Sequence, residues 1–250
     1  MQTIRAMTKT STRAVIAPPQ AELCSPARAT GEQLLQFLKT IEQPEHQQNS
    51  LSGFLDEIFQ IREVGGEERA VAERFIHDCF SRVYGADITR FMPRLFELLT
   101  RRGELTAAFG VRDAAETPLF LEAYLDAPID LVLEAQLGYR PARDKIVEVG
   151  NLAAVYPGAV RWLIMALTAR LHQEGYKWVV FTATNELKNG FGRLGFRPIS
   201  LAPARVERLK EEDRTGWGRY YDAQPTVMVG NIDYGYHEIE IRREFNKIGD

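Results

Sequence analysis

Glu148 has the strongest claim to chemistry in this chain. It stands inside an apolar run, IVEVGNLAAV from Ile146, where burying a carboxylate costs free energy unless it gains a partner. Burial also raises a carboxyl pKa, and a carboxylate poised nearer neutrality can take a proton from an amine as a general base. The structural alternative is an ion pair with Arg140, Arg143 or Lys145. Asn151 closes the same run. Its carboxamide suits a hydrogen bond to a thioester or acceptor carbonyl, or a strand-end cap. Glu122 and Tyr124 lie together in TPLFLEAYLD, either as part of an acceptor site with Glu148 or as the solvent face of a strand. Trp217, Tyr220 and Tyr221 cluster about Gly218. Three aromatics there line an acyl or acceptor pocket, or form a lid packed on the core. Thr182 and Thr184 alternate at the end of a second apolar run, facing a donor cleft or reflecting strand propensity. Arg161 and Arg193 suit phosphate contacts or are solvated charges.

These residues need a frame. Residues 157–174 carry apolar positions at Trp162, Leu163, Ala166, Leu167 and Leu171, with the stem of Arg170 among them, which is the spacing of a helix face. Pro157 and Gly158 suit the turn into such a helix, and Gly175 its left-handed end. The runs on either side are of strand length. Strand, helix and strand form a βαβ unit with two parallel neighbours. The helix N-terminus then lies at the carboxyl end of the first strand, with free N–H groups for an anion.

The rest of the chain is read around that unit. Residues 1–30, rich in Thr, Ser, Ala and Pro, are expected to be a disordered tail, and 31–41 one short amphipathic helix. Phe59 onward alternates as a strand. GGEERAVAERFIHDCFSRVYG predicts a helix with Glu67 and Glu68 in its first turn and Val71, Phe75, Cys79 and Val83 buried, beside Ile76 and Phe80. His77 falls off that stripe. A second helix is expected over 89–101, then two strands, ELTAAFGVRD and TPLFLEAYLD, joined by a polar turn. Residues 128–138 read as helix. After the central unit come a short helix (NELKNGFGRLG), a strand (FRPISLA), a charged helix (PARVERLKEED), an aromatic loop and a last strand (TVMVGNI). The segment 233–250 is a charged tail with no element assigned.

Composition is that of an ordinary globular chain, 45% hydrophobic and 26% charged over 250 residues, enough for one good core. A net charge of −3 argues against a dedicated nucleic-acid binder. The charge is uneven, though. Between Arg140 and Lys210 twelve Lys/Arg face five Asp/Glu, a net of +7, and the remainder carries −10. Either this is chance clustering on a solvated surface, or the basic part meets an acidic partner. Cys24 and Cys79 have no metal or redox spacing, and His46, His77, His172 and His237 are scattered, so no metal site is expected. No run is long enough to span a bilayer, and no apolar region follows the N-terminal Arg5, Lys9 and Arg13. A cytoplasmic protein is expected.

The element order from about residue 58 resembles the GNAT acyltransferase superfamily, in which an acyl thioester lies between the two central parallel strands. It implies an α/β fold: a GNAT-like mixed central sheet flanked by helices, over residues 51–232, behind a flexible extension of residues 1–50. A closer resemblance rests on LFLEAYLDAPID, IVEVGNLAAV, KWVVFTAT, FGRLGFRPISLAPAR and WGRYYDAQPTVMVG, which look like the thermostable hemolysin family. Two departures from the GNAT pattern matter. The coenzyme A pyrophosphate motif, Gln/Arg-x-x-Gly-x-Gly/Ala, falls on Val155, Gly158 and Val160, and only Gly158 agrees. Backbone N–H groups of Gly158, Ala159 and Val160 can still hold an anion. The tyrosine that protonates the leaving thiolate in many such enzymes falls on Phe191, which has no proton to give. An altered cradle with a basic surface fits an acyl carrier protein better than coenzyme A. The acyl-homoserine lactone synthases are an architectural precedent.

The reading that follows is an acyltransferase with no tightly bound cofactor and no metal. Its co-substrate is an acyl thioester on acyl carrier protein or coenzyme A, and its acceptor a small amine. Two others compete. A membrane-active lytic protein is disfavoured by the lack of any spanning or strongly amphipathic cationic helix, unless the product itself is a surfactant. A binding module that has lost catalysis is favoured by Phe191 and the degenerate cradle.

Overall fold

The structure, a computed structural model, describes residues 51–248. The expected extension, with its short helix, Cys24 and His46, lies outside the described residues. The elements are α1 (Leu51–Ile58), β1 (Phe59–Val64), α2 (Gly66–Tyr84), β2 (Arg94–Thr100), β3 (Leu105–Asp113), a 3-10 turn (Phe120–Tyr124), α3 (Ile129–Leu137), β4 (Ile146–Ala154), α4 (Pro157–Gln173), β5 (Trp178–Ala183), α5 (Asn185–Arg193), β6 (Ile199–Pro203), β7 (Thr226–Asn231) and α6 (Ile232–Ile248). Seven strands form one sheet in the order β1-β2-β3-β4-β5-β7-β6. The pair β4–β5 is parallel and every other neighbouring pair antiparallel. This is the mixed sheet expected of a GNAT-like fold.

Strand alternation sends Val147 and Val149 to one face and Ile146 and Glu148 to the other. The first face packs Phe96, Phe109, Val147, Val149 and Phe181 against apolar residues of α1, α4 and α6. The second is shared. Leu95, Ala108 and Ala153 pack with α2, and Ile146, Val180, Val227 and Val229 with α3 and the 3-10 turn. The central unit forms as its residues dictate. Pro157 opens α4, and Gly175 follows it at φ 81°, a left-handed conformation natural to glycine. Leu163, Ala166, Leu167 and Leu171 are buried.

Five expectations are corrected. Residues 89–101 are not a helix but a loop and β2. Leu95, Phe96, Leu98 and Leu99 are all buried, because β2 is covered on both faces and so loses the alternation that marks a strand. Glu97, buried within it, pairs with Arg62 at 2.7 Å. The α2 stripe is rotated: Ala72, Ile76 and Cys79 are buried, while Val71 and Val83 stand 56% and 55% exposed. TPLFLEAYLD is not a strand but the loop bearing the 3-10 turn, and the hairpin partner of β3 is β2. PARVERLKEED makes two short 3-10 turns, Val206–Arg208 and Glu211–Asp213, with Leu209 buried between them. Finally, the charged segment after Asn231 is helix α6, fixed by buried Ile232, Tyr236 and Ile239. Glu240, buried on α6, accepts the Leu51 backbone N–H at 2.9 Å and so ties in α1.

Candidate active site

The parallel ladder runs from Ile146↔Trp178 to Val149↔Phe181 and stops. Strand β4 continues to Ala154 and β5 to Ala183, so their carboxyl ends are unpaired with each other. A bulge opposite Phe109 aids the parting, since the β3–β4 register shifts between Ala108 and Gly110. Asn151 sits in it at φ 52°, a conformation Asn tolerates better than branched residues. Its Oδ1 accepts the Met92 N–H at 2.8 Å, so the 89–93 loop is clamped to the bulge. The Met92 side chain lies where a Cβ on Gly110 or Gly150 would be. Gly110 must be glycine, because it meets Met92 at its Cβ, whereas Gly150 meets only the movable terminal methyl.

Glu148 lies just before the parting and is 2% exposed. Its Oε2 accepts the Phe120 N–H at 2.8 Å and its Oε1 the Leu121 N–H at 2.9 Å. Arg112 is 3.9 Å away. The expected ion-pair partners are elsewhere: Arg140 and Arg143 bind Asp130, and Lys145 lies beside Asp144. Burial pushes the Glu148 pKa up to about 7, against the pull of the two N–H groups and Arg112. The direction is that expected of a base at neutral pH.

Glu122 is not on a strand beside Glu148. It accepts N–H groups of Leu119 and Ile129 at 2.9 and 2.8 Å and pairs with Arg143 at 2.8 Å. Burial pushes its pKa up, but the Arg143 and backbone hydrogen bonds outweigh it and hold it low. Its geometry is that of a loop tie, which sets the 3-10 turn whose first N–H groups meet Glu148.

The aromatic residues do come together. Tyr124 and Tyr221 share a hydroxyl hydrogen bond at 2.6 Å, and Tyr220 donates to Thr182 Oγ1 at 3.1 Å. Trp217 packs 5.5 Å from Tyr220, 5.8 Å from Tyr221 and 6.0 Å from Phe120, ring centre to ring centre. Burial raises all three tyrosine pKa values, that of Tyr221 to about 12, and the Glu148 charge adds to the Tyr124 shift. The loop is seated through backbone: Arg219 N–H donates to Tyr84 O at 2.8 Å, and Asp87 N–H to Gly216 O at 2.7 Å. Gly218, at φ 53°, has no room for a Cβ against the Tyr84 and Gly85 carbonyls. Gly218→Ala is therefore expected to cost about 1–3 kcal/mol and to red-shift Trp217 fluorescence; an unchanged melt would contradict this seating.

On the donor side, Val155 is 46% exposed, Gly158 and Arg161 are exposed, and Ala159 is buried. Val160 is partly buried against the core. Thr184 is buried at the head of α5. Phe191 is buried, packed 4.9 Å from Phe181. It is a core residue as well as standing where the family pattern has a tyrosine. Arg193 is exposed in the last turn of α5. Neither Arg161 nor Arg193 has an ion pair among the described residues. The structure thus gathers Glu148, Tyr124, Thr182, Trp217, Tyr220 and Tyr221 by one parting, and separates Arg161, Arg193 and Phe191 onto α4 and α5. Sequence reasoning missed Arg112 and Met92. Arg112 had a signal, since it occupies an alternating position of β3 on the same face as Glu148, its Cα partner. Among the described residues no cluster of His, Cys, Asp and Glu is arranged to hold a metal ion.

Solved structures of similar fold include FeeM, an N-acyl amino acid synthase from uncultured soil microbes, at TM-score 0.50 and 13% identity, covering 71% of this chain and 92% of that one. The AHL synthase LasI matches at TM-score 0.46 and 13% identity, covering 70% and 89%. The CoA-dependent acyl-homoserine lactone synthase BjaI matches at 0.49 and 14%, covering 74% and 89%. At such identities the likeness concerns the fold. No curated protein matches the chain. The model of one family, described as thermostable hemolysin, matches residues 63–236, which take in β2 through the first turn of α6 and every residue of the site just built. The chain belongs to the thermostable hemolysin family and has a GNAT-like acyltransferase fold.

Proposed function

We propose that this protein is an acyltransferase that moves an acyl group from a thioester to an amine-bearing small molecule. The observation that carries the reading is the end of the β4–β5 ladder at Val149 and Phe181, one residue beyond a buried carboxyl whose pKa lies near 7. Unpaired backbone there suits the amide-bearing arm that coenzyme A and carrier proteins share. The amine nitrogen attacks the thioester carbonyl, the C–S bond breaks, and Glu148 takes the amine proton. Each carboxylate oxygen uses one lone pair on its backbone N–H and keeps another for this. The Asn151 carboxamide nitrogen is the proposed donor to the carbonyl oxygen. The sulfur leaves as thiolate, because Phe191 offers no proton. FeeM, which shares the fold, is named for an N-acyl amino acid product, which supports the class of reaction.

Acyl carrier protein is the proposed donor. Many basic residues of the +7 stretch turn out to be paired, among them Arg143, Arg170, Lys177 and Arg208. Arg161 and Arg193 remain exposed at the two helices nearest the parting. A carrier should therefore bind in a salt-sensitive way, and the double variant Arg161→Glu, Arg193→Glu should weaken it about tenfold, mainly in association rate. Tight binding of coenzyme A with no binding of carrier would overturn this choice.

A second reading is favoured by the two backbone N–H groups on Glu148: the carboxylate anchors the 3-10 turn and does no chemistry. The variant Glu148→Gln separates the two, by specific activity per folded molecule. As for lysis, no helix among the described residues is long and apolar enough to cross a membrane. In our reading a haemolytic effect comes from an amphiphilic N-acyl product.

A further inference from the structure

The aromatic cluster, one candidate for an acyl pocket, packs its rings against one another. Open space lies on the opposite face of the sheet. A cavity there has a volume of about 60 Å³, and its walls include Val149, Leu152, Ile164, Leu167, Phe181 and Phe191. Val149 and Phe181 are the last pair of the parallel ladder, so the cavity begins where the thioester is proposed to sit. It continues beneath α4 as far as Leu171 and reaches α6 at Tyr234. From Ile164 to Leu171 the helix rises roughly 10 Å. Two polar side chains of the wall are engaged locally: Thr168 Oγ1 donates to Ile164 O at 2.8 Å, and Asn231 Oδ1 accepts the Tyr234 N–H at 2.8 Å. Arg197 is exposed at the rim. A wall lined mostly by aliphatic and aromatic side chains suits a saturated chain and disfavours a polar ligand.

We infer that the donor carries an unbranched aliphatic chain of medium length, and that this chain passes between β4 and β5 into the cavity under α4. The inference rests on the transferase reading and names its substrate class. Acetyl donors leave the cavity empty. Each buried methylene is worth roughly fourfold in binding, so even partial burial separates octanoyl from acetyl.

The test is calorimetric binding to the full-length protein of acetyl- and octanoyl-coenzyme A, and of acyl carrier protein loaded with the same chains. Octanoyl forms are expected to bind about a hundredfold tighter than acetyl forms. Leu167→Phe, which narrows the cavity, should lower octanoyl binding about tenfold and leave acetyl binding alone. Ile164→Ala, which widens it, should shift the preference to dodecanoyl. Two variants of opposite sign guard against loss of fold, and a melt accompanies each. Equal binding of the two chains, or equal effects of Leu167→Phe on both, overturns the inference. Turnover of thioesters without any chain preference removes the cavity assignment and leaves the transferase standing. Chain-dependent binding without turnover on any amine tested leaves the cavity assignment and removes the transferase.

Discussion

Glu148→Gln is expected to lower acyl transfer by about two to four orders of magnitude per folded molecule, the range for loss of a general base. The substitution keeps shape and removes the basic site. One carboxamide oxygen can still accept the Phe120 or Leu121 N–H, but the amide nitrogen then confronts the other donor. A cost of about 1–3 kcal/mol in stability follows, so activity must be normalised to folded protein. The pH dependence gives an independent handle. A carboxyl raised from 4.5 to about 7 on folding binds its proton more tightly in the native state. Its stabilising share is full below about pH 4.5 and lost as pH rises toward 7, a fall of about 3 kcal/mol at most. Activity should run the other way, rising through pH 7 as the base loses its proton. Wild type minus Glu148→Gln isolates the stability slope from other titrating groups. No slope difference, with unchanged specific activity, would remove Glu148 from the chemistry.

Arg143→Leu is expected to be the most destabilising change outside the core, by about 2–3 kcal/mol. Arg143 Nη1 reaches Glu122 and Asp130 at 2.8 Å each, and its Nε donates to Ala114 O at 2.7 Å. Asp130 is 2% exposed, so its charge depends on these bonds and on Arg140. Breaking a buried pair costs about 3–5 kcal/mol. The estimate is lower here because Arg143 is partly exposed and both carboxylates keep other donors. Burial works to raise both carboxyl pKa values, but hydrogen bonds to arginine, aided by backbone N–H groups, leave them depressed. Their stabilisation is therefore present above pH 4–5 and lost as pH falls through the depressed values. Arg143→Leu should flatten that acid limb. It should also lower activity, because Glu122 sets the turn whose N–H groups hold Glu148. An unaltered melt together with an unaltered acid limb would contradict this tie.

The central βαβ unit was legible because its signals agree. Pro157, the stripe through Leu171, and Gly175 all point to one helix between two strands, and α4 has those bounds within a residue. Strand β2 was not legible, since burial on both faces erases the period of two. The α2 stripe lies one position from the expected one, because small Ala72 packs on the sheet while the larger Val71 and Val83 face outward. Helix α6 was hidden by its charge, though Ile232, Tyr236 and Ile239 repeat at helical spacing. At the site, Glu148 was legible from one anomaly, a carboxylate between valines. Its actual partners were not, because backbone N–H groups of a turn leave no trace in side-chain types. Glu122 misled for the related reason that FLEAYL alternates like a strand. It forms instead a turn closed on Glu122 itself.

The measurement that bears most directly on acyl transfer at this parting is mass spectrometry of lipid extracts. Cells expressing the wild type, Glu148→Ala, or neither would be compared at equal levels of folded protein. A new N-acyl species with a medium-length chain, present with the wild type and absent with Glu148→Ala, is the expected result. Identical extracts from all three, with the wild-type protein folded and abundant, would contradict it.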